Sequence, residues 1–470
     1  MRGRAIGAAA LACGIACTVA CTPASLAAQE QGQPLVGLWM GAFTRVGGAQ
    51  PVTAAVTARG DTMRVAFTFT DRVIGQRAFA TRVARDTLGG YRFATPYGPA
   101  SAALDTTVRE LIAVVGHDSL GMRLHLRRMP PEGAHAVSRE TVRIAGGRGG
   151  TVVLPGTLYR PVGVERPAAV VMVQGRGCGS IAALERQAEV LATHGIAALV
   201  YDKRGADTLA RSCARATIPE LAEDVVAAVA YVAGRGDVDA RRIGTIGWSA
   251  GGWVSARASE LLAARATPLA AMVLLVGPST SVERQQLGGT SAIAHELRLA
   301  PADSAMALRF MELTFARGDR AGRFAEMRRI LDAGRRVGWA PNILEDDDIP
   351  ASVADVDSVW ALRNAYDPGP ALRRFRGPVL ALYGGADAIV PAEENVARLR
   401  SLARDAGNAR VRAVVVPGAG HGLGQPDEVR AVTIGGREVR YWHAARPAPQ
   451  VLDEVVAFLR REGMVVEGGR

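Results

Sequence analysis

The stretch Ile243–Trp253, IGTIGWSAGGW, decides how this chain folds. It opens with an apolar run typical of a buried strand, and residues 247–251 then place Ser249 between two glycines in a G-x-S-x-G pattern. A helical pattern follows directly and continues to about Ala264. A strand, a tight turn and a helix in this order lift a serine hydroxyl above a sheet edge, as a nucleophilic serine requires. On the pattern alone, Ser249 could equally be a small residue in a turn.

Strands and helices alternate on both sides of this stretch. After a predicted hairpin at Thr141–Leu158, apolar runs predict strands at Ala169–Val173, Ile196–Tyr201, Leu269–Val276, Pro378–Tyr383 and Val411–Val416. Helices are predicted at Ala182–Thr193, from Thr217 to about Arg235, and at Val451–Arg461. Thr217 and Glu220 have the spacing of a helix capping box, with a proline between them. This alternation predicts an α/β fold with a mostly parallel sheet and helices on both faces.

Two further regions differ from this pattern. Residues 279–367 are charged and helical without a convincing strand, which predicts a helical cap inserted over the active site. From Leu35 to Arg128 the apolar residues alternate with polar ones, which predicts a small antiparallel β domain, either a barrel or a sandwich. We therefore divide the chain into a signal peptide at 1–28, a β domain at 34–130 and a catalytic domain at 138–464 that carries the cap.

The first residues have the features of an export signal. Arg2 and Arg4 precede an apolar run, and Ser25-Leu-Ala27 fits a cleavage site after residue 27 or 28. This predicts an exported protein, periplasmic or secreted. A lipoprotein acylated at Cys21 is the competing interpretation. The apolar run after Arg4 is too short and too rich in alanine and glycine to span a membrane comfortably, and no other apolar run approaches the length that a spanning helix needs.

The composition limits the classes of ligand and partner that we expect for this protein. The net charge is +11 and comes from arginine, since Lys203 is the only lysine. No arginine run is interleaved with aromatic residues, so we do not expect nucleic-acid binding. His117, His125 and His135 are spaced too widely for a metal site, and we expect them at the surface or in hairpins. Neither a metal nor an organic cofactor is expected.

Partners for Ser249 occur later in the chain. Asp387 in YGGADAIVP and His421 in PGAGHGLG each follow a predicted strand, in the order serine, acid, histidine. Loops at the carboxyl ends of parallel strands meet at one sheet edge, where ligands bind. Asp387 is therefore the expected acid and His421 the expected base. Asp367 is an alternative acid, but it precedes a strand rather than following one.

A glycine-rich loop after the strand at 169–173 is the expected second part of the site. In VVMVQGRGCGS, Gly175 and Gly177 allow the backbone to approach a substrate closely. We expect the backbone N–H groups of Arg176 and Ala250 to stabilise an oxyanion. The spacing of these glycines does not fit a dinucleotide-binding loop.

The motifs together resemble those of the α/β-hydrolase family. RPAAVVMVQGRG, GIAALVYDKRG, VDARRIGTIGWSAGG, PVLALYGGADAIVP and VVVPGAGHG match its strands and loops in succession. The β domain and the cap resemble those of bacterial serine carboxylesterases with an extra N-terminal domain. The resemblance implies Ser249 as nucleophile, His421 as base and Asp387 as its partner. Gln174 stands where relatives usually have His, and Asp202–Gly205 matches a family loop whose role is usually structural.

Cys178 and Cys213 are the cysteines outside the signal segment. Both follow consecutive strands at the same sheet edge, and export would expose them to an oxidising compartment. We predict a disulfide between them. It would fix the glycine-rich loop that follows the strand at 169–173 and carries Arg176, which we call the oxyanion loop.

The reaction expected is hydrolysis of a small-molecule carboxylic ester through an acyl-enzyme. The alternative is a peptidase or aminopeptidase, because GWSAGG is similar to the serine motif of prolyl-oligopeptidase-like enzymes. Cap carboxylates of such aminopeptidases bind the substrate amine, and Glu345–Asp348 could do so here, or could form a solvated acidic loop. Acyl transfer, and a binding protein on an inactive hydrolase scaffold, are further alternatives. The oligomeric state is left open.

Overall fold

A computed structural model describes residues 34–45, 48–71, 75–116, 121–128, 133, 135–178, 182–206, 212–425, 428–443, 446–447 and 449–465. The predicted signal peptide, Cys21 and His117 lie outside these ranges. The chain forms two compact units. One comprises the described residues up to Arg128 with Val432–Val439, and the other comprises the remainder.

The first unit is built on a closed barrel of eight antiparallel strands. They are β1 (Gly37–Arg45), β2 (Gly48–Arg59), β3 (Thr62–Asp71), β4 (Gly75–Arg85), β5 (Tyr91–Thr95), β6 (Gly98–Asp105), β7 (Glu110–Val115) and β8 (Arg123–Arg128). Each strand pairs with its neighbour in sequence, and β1 pairs with β8, with Trp39 opposite Arg128. The barrel, and not a sandwich, is therefore the form of the predicted β domain.

Aromatic side chains fill the barrel. Trp39 and Phe67 are fully buried, and the ring of Phe67 lies 5.8 Å from those of Phe43 and Phe93. The indole Nε1 of Trp39 donates to the backbone oxygen of Leu35 at 2.9 Å. The alternation along the strands thus arises because one side of each strand faces this interior.

His125 lies in the antiparallel hairpin of β7 and β8, and its side chain is partly exposed. It belongs to β8, and its Nε2 lies 3.1 Å from a carboxylate oxygen of Glu110, which is fully buried. Arg127 approaches the same carboxylate at 3.3 Å. A buried carboxylate needs such partners, so this hairpin histidine lies beside a buried acid.

The second unit contains an eight-stranded sheet. Its strands are β9 (Val137–Gly146), β10 (Val152–Pro161), β11 (Ala169–Val173), β12 (Ala197–Tyr201), β13 (Ile243–Trp248), β14 (Met272–Leu275), β15 (Val379–Gly384) and β16 (Val411–Val416). The order across the sheet is β16-β15-β14-β13-β11-β12-β10-β9. Strands β11 to β16 are parallel, and the hairpin β9–β10 joins β12 antiparallel. The predicted sheet is confirmed, with the serine strand β13 at its centre.

Helices cover both faces of this sheet. They are α1 (Ala182–Thr193), α2 (Ile218–Ala233), α3 (Gly251–Ala264), α9 (Gly369–Arg374), α10 (Ala392–Asp405) and α11 (Pro449–Arg461). Along β11, Val171 and Val173 join one core cluster while Val170 and Met172 join the other. The strand is apolar throughout because both of its faces are buried. Thr217 forms the predicted capping box with Glu220 at the start of α2.

The residues 279–367, all of them described, contain helices and no strand. These are α4 (Val282–Glu296), α5 (Pro301–Phe315), α6 (Arg320–Val337), α7 (Ala340–Ile343) and α8 (Trp360–Arg363), with short 3-10 turns at Asp346–Asp348 and Val353–Asp357. They have a core of their own around Phe310 and Trp339. No helix within the described ranges combines the length and apolarity needed to cross a membrane.

A segment after β16 was not predicted. The short strand β17 (Gly424–Gln425) pairs with β20 (Arg446–Pro447), and β18 (Glu428–Ile434) pairs with β19 (Arg437–His443). Gly435 and Gly436 connect β18 to β19 with φ of 56° and 79°. A Gly-Gly pair between two alternating runs is a hairpin signal that sequence reasoning could have used.

Candidate active site

Ser249 occupies a strained turn between β13 and α3. Its φ is 51°, a left-handed conformation that is costly for a residue with a side chain. Its N–H donates to the backbone oxygen of Leu275 at 2.8 Å, which fixes the turn. An added Cβ at Gly247 would lie 2.4 Å from the oxygen of Gly251, and one at Gly251 would lie 2.4 Å from that of Val173. The two glycines are therefore required by crowding around the serine.

The three predicted polar side chains lie in one hydrogen-bonded row. The distance from Ser249 Oγ to His421 Nε2 is 2.9 Å, and that from His421 Nδ1 to Asp387 Oδ2 is also 2.9 Å. The other oxygen of Asp387 accepts the N–H groups of Ile389 and Val390, each at 2.9 Å. An ionised acid beside Nδ1 favours a proton on that nitrogen, which leaves Nε2 free to accept the serine proton.

Asp367, the alternative acid, has a different set of partners. Its carboxylate accepts a hydrogen bond from Arg398 at 2.8 Å and another from the N–H of Gly369 at 2.9 Å. It therefore lies just before helix α9 and pairs with a guanidinium, whereas Asp387 accepts a hydrogen bond from the imidazole.

A cavity of about 490 Å³ opens above Ser249 and His421. Its apolar lining includes Trp248, Trp253, Ile293, Leu344, Trp360 and Ile389, and its polar lining includes Gln285, Gln286, Thr290, Asn342 and Glu345. Most of these residues belong to the cap. The cavity is large enough for a small organic ligand and offers it both apolar surface and hydrogen-bonding groups.

The loop after β11 lies directly against the serine. An added Cβ at Gly175 would lie 3.1 Å from the backbone oxygen of Trp248 and 3.2 Å from Ser249 Cβ. Arg176 and Ala250, the two expected N–H donors, both line the cavity with Ser249. Ala250 directly precedes α3, so it stands at the positive end of that helix.

The side chain of Arg176 binds the cap. Its guanidinium donates to Asp348 at 2.8 Å and also to Asp347, and it lies 4.1 Å from the centre of the Trp360 ring. Asp348 is fully buried and also accepts the N–H of Ala361 at 3.1 Å. The interpretation of this run as a solvated acidic loop is therefore wrong for these two aspartates. Their carboxylates are occupied by Arg176.

Glu345 has a different environment from the two aspartates that follow it. It is exposed and lines the cavity above Ser249. Of the four acidic residues considered for amine binding, it alone belongs to the described lining of that cavity.

Two features hold the oxyanion loop from behind. Cys178 and Cys213 form a disulfide, with their Cα atoms 5.5 Å apart, which links the loop to the 3-10 turn Ser212–Arg215. Lys203 Nζ donates to the backbone oxygens of Gly175 and Gly177. Burial lowers the pKa of Lys203 to about 8. Sequence reasoning predicted the cysteine pair but gave the lysine no specific contact.

Residues 165–425 match the family model described as serine aminopeptidase, S33, which covers more than half of the chain. The chain belongs to this S33 family. The match includes the strands that carry the serine, acid and histidine, and the whole cap. The S33 family has the α/β-hydrolase fold. The chain is therefore a hydrolase-family protein in which an eight-stranded barrel precedes the hydrolase fold in the sequence.

Several solved esterases are similar to this S33 chain. One from Pyrobaculum calidifontis is 22% identical, with 62% of this chain and 79% of that chain covered and a TM-score of 0.38. One from Thermogutta terrifontis is 19% identical, with 73% and 98% covered and a TM-score of 0.40. Carboxyl esterase 2 from Tuber melanosporum is 20% identical, with 61% and 79% covered and a TM-score of 0.35. A comparison with curated proteins found no match.

The family assignment rests on the S33 match and on the sheet itself, since these structural similarities are low. Within the described ranges, no group of three or more His, Cys, Asp or Glu side chains is arranged to hold a metal ion.

Proposed function

We propose that this protein is an exported serine hydrolase that cleaves carboxylic esters through an acyl-enzyme. The observation that carries the proposal is the row of hydrogen bonds from Ser249 to His421 and Asp387, both 2.9 Å long, at the floor of the cavity. Nucleophile, base and orienting acid in such a row are the requirements of acyl transfer to serine.

The reaction begins at the serine. Ser249 Oγ attacks the ester carbonyl carbon while its proton passes to His421 Nε2. Asp387 keeps the proton of Nδ1 in place and stabilises the imidazolium. His421 then protonates the departing alcohol, which leaves an acyl group on Ser249. In the second half, His421 Nε2 removes a proton from water as the water oxygen attacks the acyl carbon. The bond from that carbon to Ser249 Oγ then breaks, Nε2 returns the proton to Oγ, and the carboxylic acid leaves.

The N–H groups of Arg176 and Ala250 would stabilise the negative oxygen of each tetrahedral intermediate. Both residues lie beside Ser249, and the amino end of α3 adds a favourable dipole. These residues supply every proton transfer and charge that the steps require, so the reaction needs no metal or organic cofactor.

A second candidate function is aminopeptidase activity. Glu345 is the observation that favours it, because an exposed carboxylate lines the cavity above the serine. A free amine on a peptide substrate would pair with this carboxylate. Esters without an amine would gain nothing from it.

One set of assays separates these functions. The wild type, S249A and E345Q are assayed with short p-nitrophenyl esters and with aminoacyl p-nitroanilides. Loss of ester turnover by about 10³-fold or more in S249A, with little change in E345Q, supports the esterase. Faster anilide turnover that depends on Glu345 supports the aminopeptidase. Equal ester turnover in the wild type and S249A would refute the mechanism.

Export is proposed from the charged and apolar features of residues 1–28. Amino-terminal sequencing of protein recovered from the cell exterior or periplasm tests it. A first residue of Ala28 or Gln29 supports cleavage at the predicted site. A blocked amino terminus at Cys21 with an attached acyl chain would instead show a lipoprotein.

A further inference from the structure

Lys203, the only lysine of the chain, is buried behind the oxyanion loop. It follows β12, and 6% of its surface is exposed. Its ammonium donates to the backbone oxygens of Gly175 and Gly177, the latter at 2.7 Å. Burying a charge is costly unless hydrogen bonds compensate for the lost water. The two carbonyl groups provide that compensation.

The two carbonyl groups flank Arg176, whose N–H is the proposed oxyanion donor. In a planar trans peptide, the oxygen of one residue and the N–H of the next point in opposite directions. Because the oxygen of Gly175 points at Lys203, the N–H of Arg176 points away from Lys203. Lys203 lines two small spaces of about 10 Å³ behind the loop, whereas Gly175 and Arg176 also line the main cavity. A direction away from Lys203 is the one that an N–H facing the main cavity requires.

We propose that Lys203 is a positioning residue, whose ammonium holds the peptide groups around Arg176 so that the Arg176 N–H faces the carbonyl oxygen of the substrate. The proposal rests on the proposed serine-hydrolase function of the same site. Lys203 is not among the residues that line the cavity above Ser249, so in this proposal it acts through the loop.

The side chains around Lys203 do little to offset the loss of water around its ammonium, so the two carbonyl groups are its main compensation. Helix α2 contributes Leu221, α3 contributes Val254, and the segment after α8 contributes Asn364, none of which is charged. The titratable or charged groups lining the same spaces are Arg176 and Tyr201. Arg204, the next residue, is paired with Asp224 at 2.7 Å.

The charge of Lys203 changes in an accessible pH range. Burial disfavours the ammonium and lowers its pKa to about 8. Above that pH the side chain becomes a neutral amine, whose hydrogen bonds to the two carbonyl groups are weaker than those of a cation. We therefore expect kcat to fall as the pH rises through about 8.

The test compares K203M, K203R and R323M with the wild type. Met removes the cation at similar volume, and Arg keeps a charge that does not titrate in this range. Arg323 is an equally buried cation of the cap that donates to the backbone oxygen of Leu313 at 3.1 Å, so R323M controls for loss of a buried charge. The readouts are kcat, KM and the Ki of an alkyl trifluoromethyl ketone, which adds to serine and carries an oxyanion.

In K203M we expect kcat to fall by about 10- to 100-fold and Ki to rise by a similar factor, with KM little changed. K203R should recover part of kcat and lose the alkaline decline. R323M should lower thermal stability without changing the ratio of Ki to KM. An unchanged kcat and Ki in folded K203M, or an alkaline decline that persists in K203R, would overturn the proposal.

The wild type provides a measurement that needs no variant. A Ki that rises above pH 8 while KM stays constant supports the proposal. A Ki that does not change with pH overturns it. S249A is assayed beside these proteins. If S249A retains ester turnover, the proposed function fails; if S249A is inactive and K203M is normal, only the role of Lys203 fails.

Discussion

The two sides of Ser249 are held in different ways. On the oxyanion side, the loop carrying Arg176 is tied by Lys203, by the Cys178–Cys213 disulfide and by the bonds of Arg176 to the cap. On the base side, His421 stands between Gly420 and Gly422, where an added Cβ would meet nothing within 4 Å. The bond to Asp387 is the described side-chain contact that orients its ring from behind.

This difference follows from what each side does in the proposed reaction. An oxyanion donor works best when it needs no rearrangement as charge develops. The histidine must pass a proton between the serine, the leaving group and water, so its loop does not need the same number of restraints. Among the described residues, side-chain contacts that fix a loop are therefore more numerous on the side of the proposed oxyanion donor.

The largest expected effect concerns the side-chain hydrogen bond between Asp387 and His421. In D387N, the remaining oxygen can still accept the N–H groups of Ile389 and Val390, but the amide favours the wrong tautomer of His421. We expect kcat to fall by about 10⁴-fold with little loss of stability. D367N is the matched control and should keep wild-type kcat. Equal losses in both variants would mean that the acid assignment is wrong.

A pair of glycine substitutions tests the comparison directly. In G175A, the new methyl group would lie 3.1 Å from the oxygen of Trp248 and 3.2 Å from Ser249 Cβ, so the oxyanion loop must move. We expect kcat to fall by about 10²-fold, close to the loss of one oxyanion donor. G420A adds a methyl group in open space and should change kcat less than about twofold. Similar losses in the two would show that both loops are equally restrained.

Loss of the bond between Arg176 and Asp348, which joins the oxyanion loop to the cap, should have a smaller effect. D348N removes the charge of the buried partner of Arg176, and we expect about a tenfold loss of kcat/KM with a stability loss of about 2 kcal/mol. Asp346, exposed in the same 3-10 turn, supplies the control D346N, which should behave as the wild type. Kinetics and thermal unfolding of both variants measure this. If D348N keeps the kcat/KM and the stability of the wild type, the bond between Arg176 and Asp348 does not restrain the oxyanion loop.

The disulfide should have the smallest effect on rate. With Lys203 and Arg176 still bound, the double variant C178S/C213S should keep kcat within about threefold, while its midpoint of thermal unfolding falls. The thiol count of denatured, unreduced wild-type protein should be zero for this pair. A count of two would show that the cysteines are not joined, and a large loss of kcat in the double variant would make the disulfide the main restraint.

Much of the catalytic unit could be predicted because its signals are local. The strands at Ala169–Val173 and Val411–Val416 and the helix at Ala182–Thr193 agree residue for residue with the prediction. Each is a short local pattern, and only the first of them is buried throughout. The relative positions of Ser249, Asp387 and His421 followed from one topological rule about strand ends. The pairing of β1 with β8 could not be predicted in this way, because alternation alone does not distinguish a closed barrel from a sandwich.

The contacts of the oxyanion loop were harder to predict for a physical reason. Arg176 and Asp348 are 172 positions apart, and only the folded cap brings them together. An acidic run usually remains in solvent, so nothing in its composition indicated a buried partner. Lys203 gave no local signal either, because its acceptors are backbone oxygens, which every sequence contains.

The burial of Lys203 also makes this protein unusual toward amine-selective reagents. A pKa of about 8 gives an amine that is chemically reactive near neutrality, yet only 6% of the side chain is accessible. Apart from the α-amino group, the chain presents no other primary amine. Acylation of Lys203 in the native protein would thus require local opening of the oxyanion loop. A succinimidyl ester would report the frequency of that opening as a second modification, added to that of the α-amino group and readable by mass.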